Sequence, residues 1–194
     1  MNSHILNDRS SALSLLQTRR STKPRLLAAP GPSAEQLREI LKIASRVPDH
    51  GKIVPWRFVI IQDRDAFAKA LMDLTTDADP EASSRDLEAL ASFAHHAPAL
   101  VALLSTPEAH PQVPQFEQEL AVGSVGLGLL LAATALGFAS SWRTGRAALV
   151  PGIAEALGVP GGQVAGYFFF GTAAEPVAER RRPDMDAITI DWKG

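Results

Sequence analysis

Apolar residues recur at helical spacing in several parts of the chain and predict its helices. Leu13, Leu15 and Leu16 favour a short helix over residues 12–18. The hydroxyl of Ser33 and the side chain of Gln36 form a capping box, which predicts a helix start. That helix should end at residue 47, because Pro48 disfavours helical backbone in the residue before it. Similar patterns predict helices at residues 65–75, 85–94 and 153–157.

Residues 118–138 predict one long helix, and its last 19 residues, 120–138, carry no charge. That length would span a membrane. We interpret the helix instead as fully buried, because it is rich in Ala and Gly and no second segment could accompany it in a bilayer. Gly123, Gly126 and Gly128 leave room for another backbone, as a central helix against a subunit partner would need. A membrane-associated interaction protein stays as the alternative.

Apolar runs without helical spacing predict the strands. They cover residues 56–61, 99–105 and 164–171, with a short strand or turn at 139–142 and a possible strand at 187–192. Residues 77–84 are polar, and residues 106–115 read as a long loop. Strands separated by helices predict an α/β or α+β domain. We expect a single domain over residues 1–194, with residues 1–11 flexible.

Composition narrows the classes of function. A chain of 194 residues with 46% hydrophobic and 21% charged residues is typical of one globular domain. A net charge of −2 without a basic stripe gives no reason to expect nucleic acid. The absence of Cys excludes disulfides, thiolate metal sites and Cys nucleophiles. Residues 1–11 are polar and lack the apolar core of a signal peptide, so we expect a cytoplasmic protein.

The segment from Arg19 to Lys23 concentrates hydrogen-bond donors. It reads Arg-Arg-Ser-Thr-Lys and is followed by Pro24. Guanidinium, ammonium and hydroxyl groups are the donors that a bound phosphate needs. A solvated basic turn is the alternative.

The common hydrolytic and metal-binding motifs are absent from the sequence. The five His residues form no metal-ligand spacing, so no metal site is predicted. The run GSVGLG at residues 123–128 lies within a helical pattern and is interpreted as helix packing, not as a nucleotide-binding loop. This absence is compatible with a cofactor that carries the chemistry itself.

Three later motifs follow the basic segment: Arg-Val-Pro-Asp-His at 46–50, Pro-Trp-Arg-Phe at 55–58 and Ser-Trp-Arg-Thr-Gly at 141–145. Taken in this order with the basic segment, they resemble the nitroreductase family of FMN-dependent oxidoreductases. The resemblance covers nearly the whole chain and is strongest to the small single-domain members. It implies an α+β fold of three layers, in which helices flank a mixed, mainly antiparallel central sheet, and a dimer.

The resemblance also implies which residues bind the cofactor. Arg19 and Ser21 match positions that bind the FMN phosphate and ribityl chain, and Arg20 belongs to the same motif. Lys23 matches a Lys beside N1 and O2 of the flavin in some members, although Arg25 could reach the ring instead. The remaining matches are Arg46 and His50, which meet the flavin from the other subunit, Trp142, Arg143 and Thr144, which run along it, and Arg182, which reaches the phosphate.

Roles that involve no cofactor are the alternative for some of the same residues. Arg46 could be a cation at a helix C-terminus, and Trp142 could be a core residue. Residues 180–182 (Arg-Arg-Arg) could form a solvated tail, and which of the three reaches the phosphate is open.

One loop departs from the family pattern. Larger members have Ser-x-x-Asn-x-Gln before Pro-Trp, where this chain has Asp49, Lys52 and Val54. The small members commonly retain the Gln. Val54 therefore removes a side-chain contact to the pyrimidine edge of the flavin, which a backbone group could replace.

The expected function is that of an FMN-dependent NAD(P)H oxidoreductase working as a homodimer, with the flavin at the subunit interface. By a ping-pong cycle it would reduce nitroaromatics, quinones or related small acceptors. The chemistry takes place at flavin N5, so no catalytic side chain is predicted. The alternative on the same fold is a non-catalytic flavin-binding protein. The sequence distinguishes neither NADH from NADPH nor one acceptor from another.

Overall fold

A computed structural model describes residues 5–194, and its strands join in one sheet. The strands are β1 (Leu27–Ala28), β2 (Trp56–Ile60), β3 (Ala99–Ser105), β4 (Ala139–Arg143) and β5 (Gln163–Ala173). Their order is β1-β5-β3-β2, with β4 also on β5, and every pairing among the described strands is antiparallel. The prediction for residues 1–11 lies partly outside the described residues. Within them, the Asn7 amide donates to the Thr18 carbonyl over 3.0 Å.

Helices cover both faces of the sheet and form the outer layers. They are α1 (Ala12–Thr18), α2 (Ala34–Ala44), α3 (Arg64–Ala78), α4 (Ser84–Ala94), α5 (Gln115–Ala135), α6 (Gly145–Ala148), α7 (Ile153–Ala156) and α8 (Met185–Ile188). Short 3₁₀ turns occupy Pro24–Leu26 and His50–Lys52. The predicted capping box at Ser33 and Gln36 is confirmed at the start of α2.

Strand alternation divides the core into two clusters, one on each face of the sheet. On β5, Tyr167 and Phe169 pack with α3, α4 and the short helices, whereas Phe168 and Phe170 pack with α2 and α5. Successive side chains of a strand point to opposite faces, so one fully apolar strand serves both clusters. The predicted three-layer α+β fold is confirmed.

Helix α5 is buried on one side only, which corrects the prediction of a fully buried helix. Val125 and Leu129 are buried in the core, but Phe116, Leu120 and Leu127 are exposed. By length and hydropathy α5 could cross a membrane, yet 56% of its most apolar window is buried within the fold. Helix α5 contributes more buried residues than any other element to the core cluster on its side of the sheet.

The possible strand at residues 187–192 is wrong. The backbone forms α8 and then continues without strand pairing, with Ile190 and Trp192 exposed by 89% and 87%. Alternating apolar residues make a strand only where a partner strand supplies hydrogen bonds, and none does so among the described residues. Helix ends also differ from the prediction: α2 stops at Ala44 rather than residue 47, α3 runs to Ala78 rather than residue 75, and α5 covers Gln115–Ala135 rather than residues 118–138.

Candidate functional site

The basic segment predicted to bind phosphate leaves α1 and runs along the outer edge of β4. The Thr22 amide donates to the Ser140 carbonyl over 3.0 Å, which fixes the segment beside the sheet. The 3₁₀ turn that follows leads into β1. The backbone of residues 19–25 is therefore anchored at its middle.

Arg20 brings the C-terminal segment to this place. Its Nε donates to the Ala178 carbonyl over 3.0 Å and lies 3.5 Å from a carboxylate oxygen of Glu179. The same carboxylate accepts a bond of 2.9 Å from Nη2 of Arg182. Arg20 therefore acts as a tether that places the three-Arg run next to the basic segment.

Arg19 is half-buried at the centre of this cation cluster, which comprises Arg19, Arg20, Arg180 and Arg182. Burial lowers the pKa of Arg19, and the nearby guanidinium groups of Arg182, Arg20 and Arg180 lower it further. Its Nη1 donates to the Ser21 hydroxyl over 3.2 Å, and no carboxylate pairs with it among the described residues. A desolvated cation among other cations is unfavourable unless an anion neutralises it. The cluster fits a phosphate group.

A cavity of about 350 Å³ lies at the other end of the same segment. Its lining is Lys23, Pro24, Arg25, Phe93, His96 and Arg143. Lys23 and Arg25 both line it, so both cations left open by the sequence reach the same space. The cavity combines apolar walls with cations, which suits a planar aromatic ring that carries or develops negative charge.

Phe93 and His96 come from the end of α4, and the sequence patterns do not predict them as site residues. His96 follows the last turn of α4, and its Nε2 lies 3.2 Å from the Ser92 hydroxyl. Local sequence shows only a helix end followed by Ala-Pro. The tertiary fold alone brings this end to the basic segment, so no signal in the sequence could have found it.

The side chain of Trp142 is partly buried and packs against the α5 side of the core. Its ring packs on Phe168 with centroids 5.1 Å apart, and its Nε1 donates to the Ala165 carbonyl over 3.1 Å. Alternation along β4 places Arg143 on the opposite face, where it lines the cavity. Thr144 is exposed immediately before α6. The predicted role of Trp142 toward a cofactor stays a prediction.

Arg46 and His50 do not line the cavity. Both lie on the exposed loop after α2, and Nδ1 of His50 is 2.7 Å from a carboxylate oxygen of Glu117 on α5. The single chain thus separates these two predicted site residues from Lys23 and Arg143. Their roles stay predictions.

The loop around Val54 has an unusual backbone. Lys52 and Val54 adopt positive φ angles of 56° and 54°, which are costly for a residue with a side chain, above all a β-branched one. The Val54 amide donates to a carboxylate oxygen of Asp49 over 2.9 Å. That amide is therefore engaged within its own loop, which disfavours it as the backbone replacement for the missing Gln.

No cluster of potential metal ligands occurs in residues 5–194.

Comparison with known proteins identifies the family. Residues 16–172 match the model of the nitroreductase family, and the chain belongs to that family. It is 34% identical over 164 residues to the "Putative NAD(P)H nitroreductase YdjA" of Escherichia coli, covering 83% of this chain and 87% of that protein. The family resemblance and the enzyme class predicted from the motifs, an NAD(P)H-dependent nitroreductase-type oxidoreductase, are confirmed.

Solved structures share the fold at lower identity. The nitroreductase-like protein from Bacillus cereus superposes with a TM-score of 0.82 at 18% identity, over 96% of this chain and 98% of that one. A nitroreductase with bound FMN from Bacteroides fragilis gives 0.65 at 22% identity, over 93% and 98%. The predicted fold class is confirmed.

Proposed function

We propose that the protein is an FMN-dependent oxidoreductase that takes hydride from NADH or NADPH and passes it to a small electrophilic acceptor. The observation that carries this proposal is the half-buried Arg19, surrounded by Arg20, Arg180 and Arg182 and paired with no carboxylate in the described chain. An FMN phosphate would neutralise this cluster. The names of the relatives, an NAD(P)H nitroreductase and a nitroreductase with bound FMN, support the choice of cofactor and donor.

The chain's own residues would divide the binding between two ends. Arg19, Ser21 and Arg182 would hold the phosphate, with Arg20 fixing the segment that carries Arg182. Lys23, Arg25 and Arg143 would surround the ring in the cavity and stabilise negative charge at its pyrimidine edge. Bound FMN supplies the hydride chemistry, so the protein needs to orient and stabilise rather than to attack.

We also propose a homodimer in which the second subunit completes the site. The exposed side of α5 presents Phe116 and Leu120, exposed by 66% and 56%, together with Leu127. The Cβ position of Gly123, on the same side, meets nothing within 4 Å. Such a contiguous apolar helix face favours a partner. A second copy is the natural occupant, because His50 is joined to Glu117 beside Phe116 and would meet that copy.

The proposed acceptors are nitroaromatics, quinones and similar small oxidants, reduced by a ping-pong cycle in the cytoplasm. An anaerobic titration of the FMN-loaded protein with NADH and with NADPH, followed by absorbance of the flavin, tests the donor half. Loss of the oxidised flavin spectrum is expected on addition of a stoichiometric amount of donor. Addition of a nitroaromatic or a quinone should then restore the spectrum.

The same titration separates this proposal from a non-catalytic flavin-binding protein. A protein that binds FMN but whose flavin is not reduced by either donor would contradict the oxidoreductase. Reduction by donor without reoxidation by any acceptor class would contradict the second half-reaction only.

A further inference from the structure

His96 differs from the other polar residues that line the cavity, because it can change its charge near neutral pH. The cavity also contains Lys23, Arg25 and Arg143, and no carboxylate lines it. Lys and Arg stay protonated at neutral pH. A His has an ordinary pKa of about 6.5, so modest changes in its surroundings decide whether it carries a proton.

The position of His96 is fixed by the turn that follows α4. Nη1 of Arg64 donates to the Ala94 carbonyl over 2.7 Å, and its Nη2 reaches the carbonyls of Ala97 and Pro98 at 3.4 and 3.3 Å. These bonds hold the turn on both sides of His96. The imidazole also packs near Phe93 and Phe169, with ring centroids 6.2 and 6.4 Å away. The backbone that carries His96 is therefore held beside the cavity.

The cations around His96 favour its neutral form. Burial lowers its pKa first, and Arg25, Arg143 and His95 lower it further. Lys23 lies on the same cavity wall as Arg25, and Arg64 adds a cation behind the turn. Asp65 lies 3.5 Å from His95 and is turned toward that residue. Burial and these cations therefore favour the unprotonated imidazole while the cavity holds a neutral ligand.

We propose that His96 takes up a proton when the flavin in the cavity is reduced, so that reduction and protonation of the pocket are coupled. This inference rests on the proposed function. Hydride from NAD(P)H brings two electrons and one proton to the flavin, NAD(P)⁺ leaves, and the flavin then bears one negative charge. The second proton comes from solvent and binds His96, and its positive charge offsets that negative charge. A new anion within the cavity favours the protonated imidazole and so raises the pKa of His96.

The midpoint potential of the bound flavin, measured against pH, tests this coupling. For a two-electron couple, a tenfold change in the equilibrium constant is about 30 mV. Uptake of one proton therefore gives a slope of about 30 mV per pH unit, and uptake of two gives about 59 mV. The wild type should show the steeper slope between the pKa of His96 in the oxidised and the reduced protein. His96→Asn should show about 30 mV per pH unit over the same range.

A charge-fixed variant sharpens the test. His96→Lys should raise the potential above that of His96→Asn and keep the shallow slope, because its charge does not change. If His96→Asn retains the wild-type steep range, the second proton binds elsewhere, for instance on the flavin itself, and the proposal is overturned. Far-UV circular dichroism and an FMN titration of each variant establish folding and loading before the potential is measured.

A second measurement needs no folded variant. NMR of the five His residues in the wild type should show one imidazole whose pKa rises by one unit or more when the bound flavin is reduced. The comparison is between fully oxidised and fully reduced samples, neither of which contains a paramagnetic species. Five unchanged pKa values would overturn the proposal. If the wild type does not bind FMN at all, the proposed function fails, and that outcome is seen before any potential is measured.

Discussion

Arg20 and Ala178 lie 158 positions apart in the chain, yet the Nε–H of Arg20 donates to the Ala178 carbonyl over 3.0 Å. This contact joins the segment after α1 to the segment after β5. It places Arg180 and Arg182 near Arg19 without giving Arg20 itself a place in the cavity. The phosphate-binding cluster therefore depends on a residue that holds its parts together.

Arg20→Ala should weaken FMN binding by releasing the C-terminal segment. One hydrogen bond contributes about 0.5–1.5 kcal/mol net, which corresponds to roughly a twofold to twelvefold loss of affinity. Quenching of flavin fluorescence measures the dissociation constant. Arg38→Ala, which removes an exposed Arg from α2, is the matched control and should bind FMN as the wild type does. Equal affinities in both variants would contradict the tether.

Two glycines of α5 should respond oppositely to the same change. A Cβ at Gly126 would lie 2.7 Å from Cη2 of Trp142, whereas one at Gly123 meets nothing within 4 Å. Gly126→Ala should therefore cost about 1–3 kcal/mol of unfolding free energy through overpacking. In a monomeric background such as Leu120→Glu, where no partner covers this side of α5, Gly123→Ala should gain up to about 1 kcal/mol, because Ala favours the helix over Gly. Urea unfolding at one fixed protein concentration measures both, and a stabilised Gly126→Ala variant would refute the close packing.

The contacts of the α5 glycines show which part of the helix packing follows from the sequence. The sequence predicts that Gly123, Gly126 and Gly128 leave room for a subunit partner. Within the chain Gly126 meets Trp142 and Gly128 meets the backbone of Ala44, whereas Gly123 meets nothing within 4 Å. Sequence can indicate that a helix needs close neighbours. It does not say which element supplies them, because that depends on the assembled sheet.

Structural features that depend only on neighbouring residues are predicted correctly from the sequence. The capping box at Ser33 and the strand Ala99–Ser105 appear as predicted, because a hydrogen-bonded cap and a continuous apolar run are decided by neighbouring residues. The strand predicted at 187–192 failed, since strands need partners. His96 was missed for the same reason: its neighbours in the cavity lie on distant segments.

Charge on the exposed face of α5 should break the proposed dimer. Leu120→Glu places a carboxylate on the apolar face, which a partner could bury only at a large desolvation cost. Sedimentation at micromolar concentration should show a dimer for the wild type and a monomer with weakened FMN binding for the variant. Leu149→Glu, at a leucine of 77% exposure outside that face, is the control and should stay dimeric. A wild-type monomer that holds FMN would contradict a shared site.

His96 should also make the stability of the FMN-free protein depend on pH. Because burial and nearby cations lower its pKa below 6.5, the unfolded chain binds more protons at this residue between the lowered pKa and 6.5. The free energy of unfolding must then fall as pH falls through that window. His96→Asn should show a smaller fall, and the difference between the two proteins isolates this residue from other titrating groups. Parallel curves for the two proteins would disprove the lowered pKa.

The central claim, that the Arg19 cluster binds the phosphate of FMN, is tested most directly by comparing FMN with riboflavin, which lacks the phosphate. Charge-assisted hydrogen bonds contribute about 1.5–3 kcal/mol each, so the wild type should prefer FMN by at least about tenfold. Arg19→Ala should lose most of that preference by binding FMN more weakly while its affinity for riboflavin stays unchanged. Equal binding of FMN and riboflavin by the wild type, or an undiminished preference in Arg19→Ala, would contradict the claim.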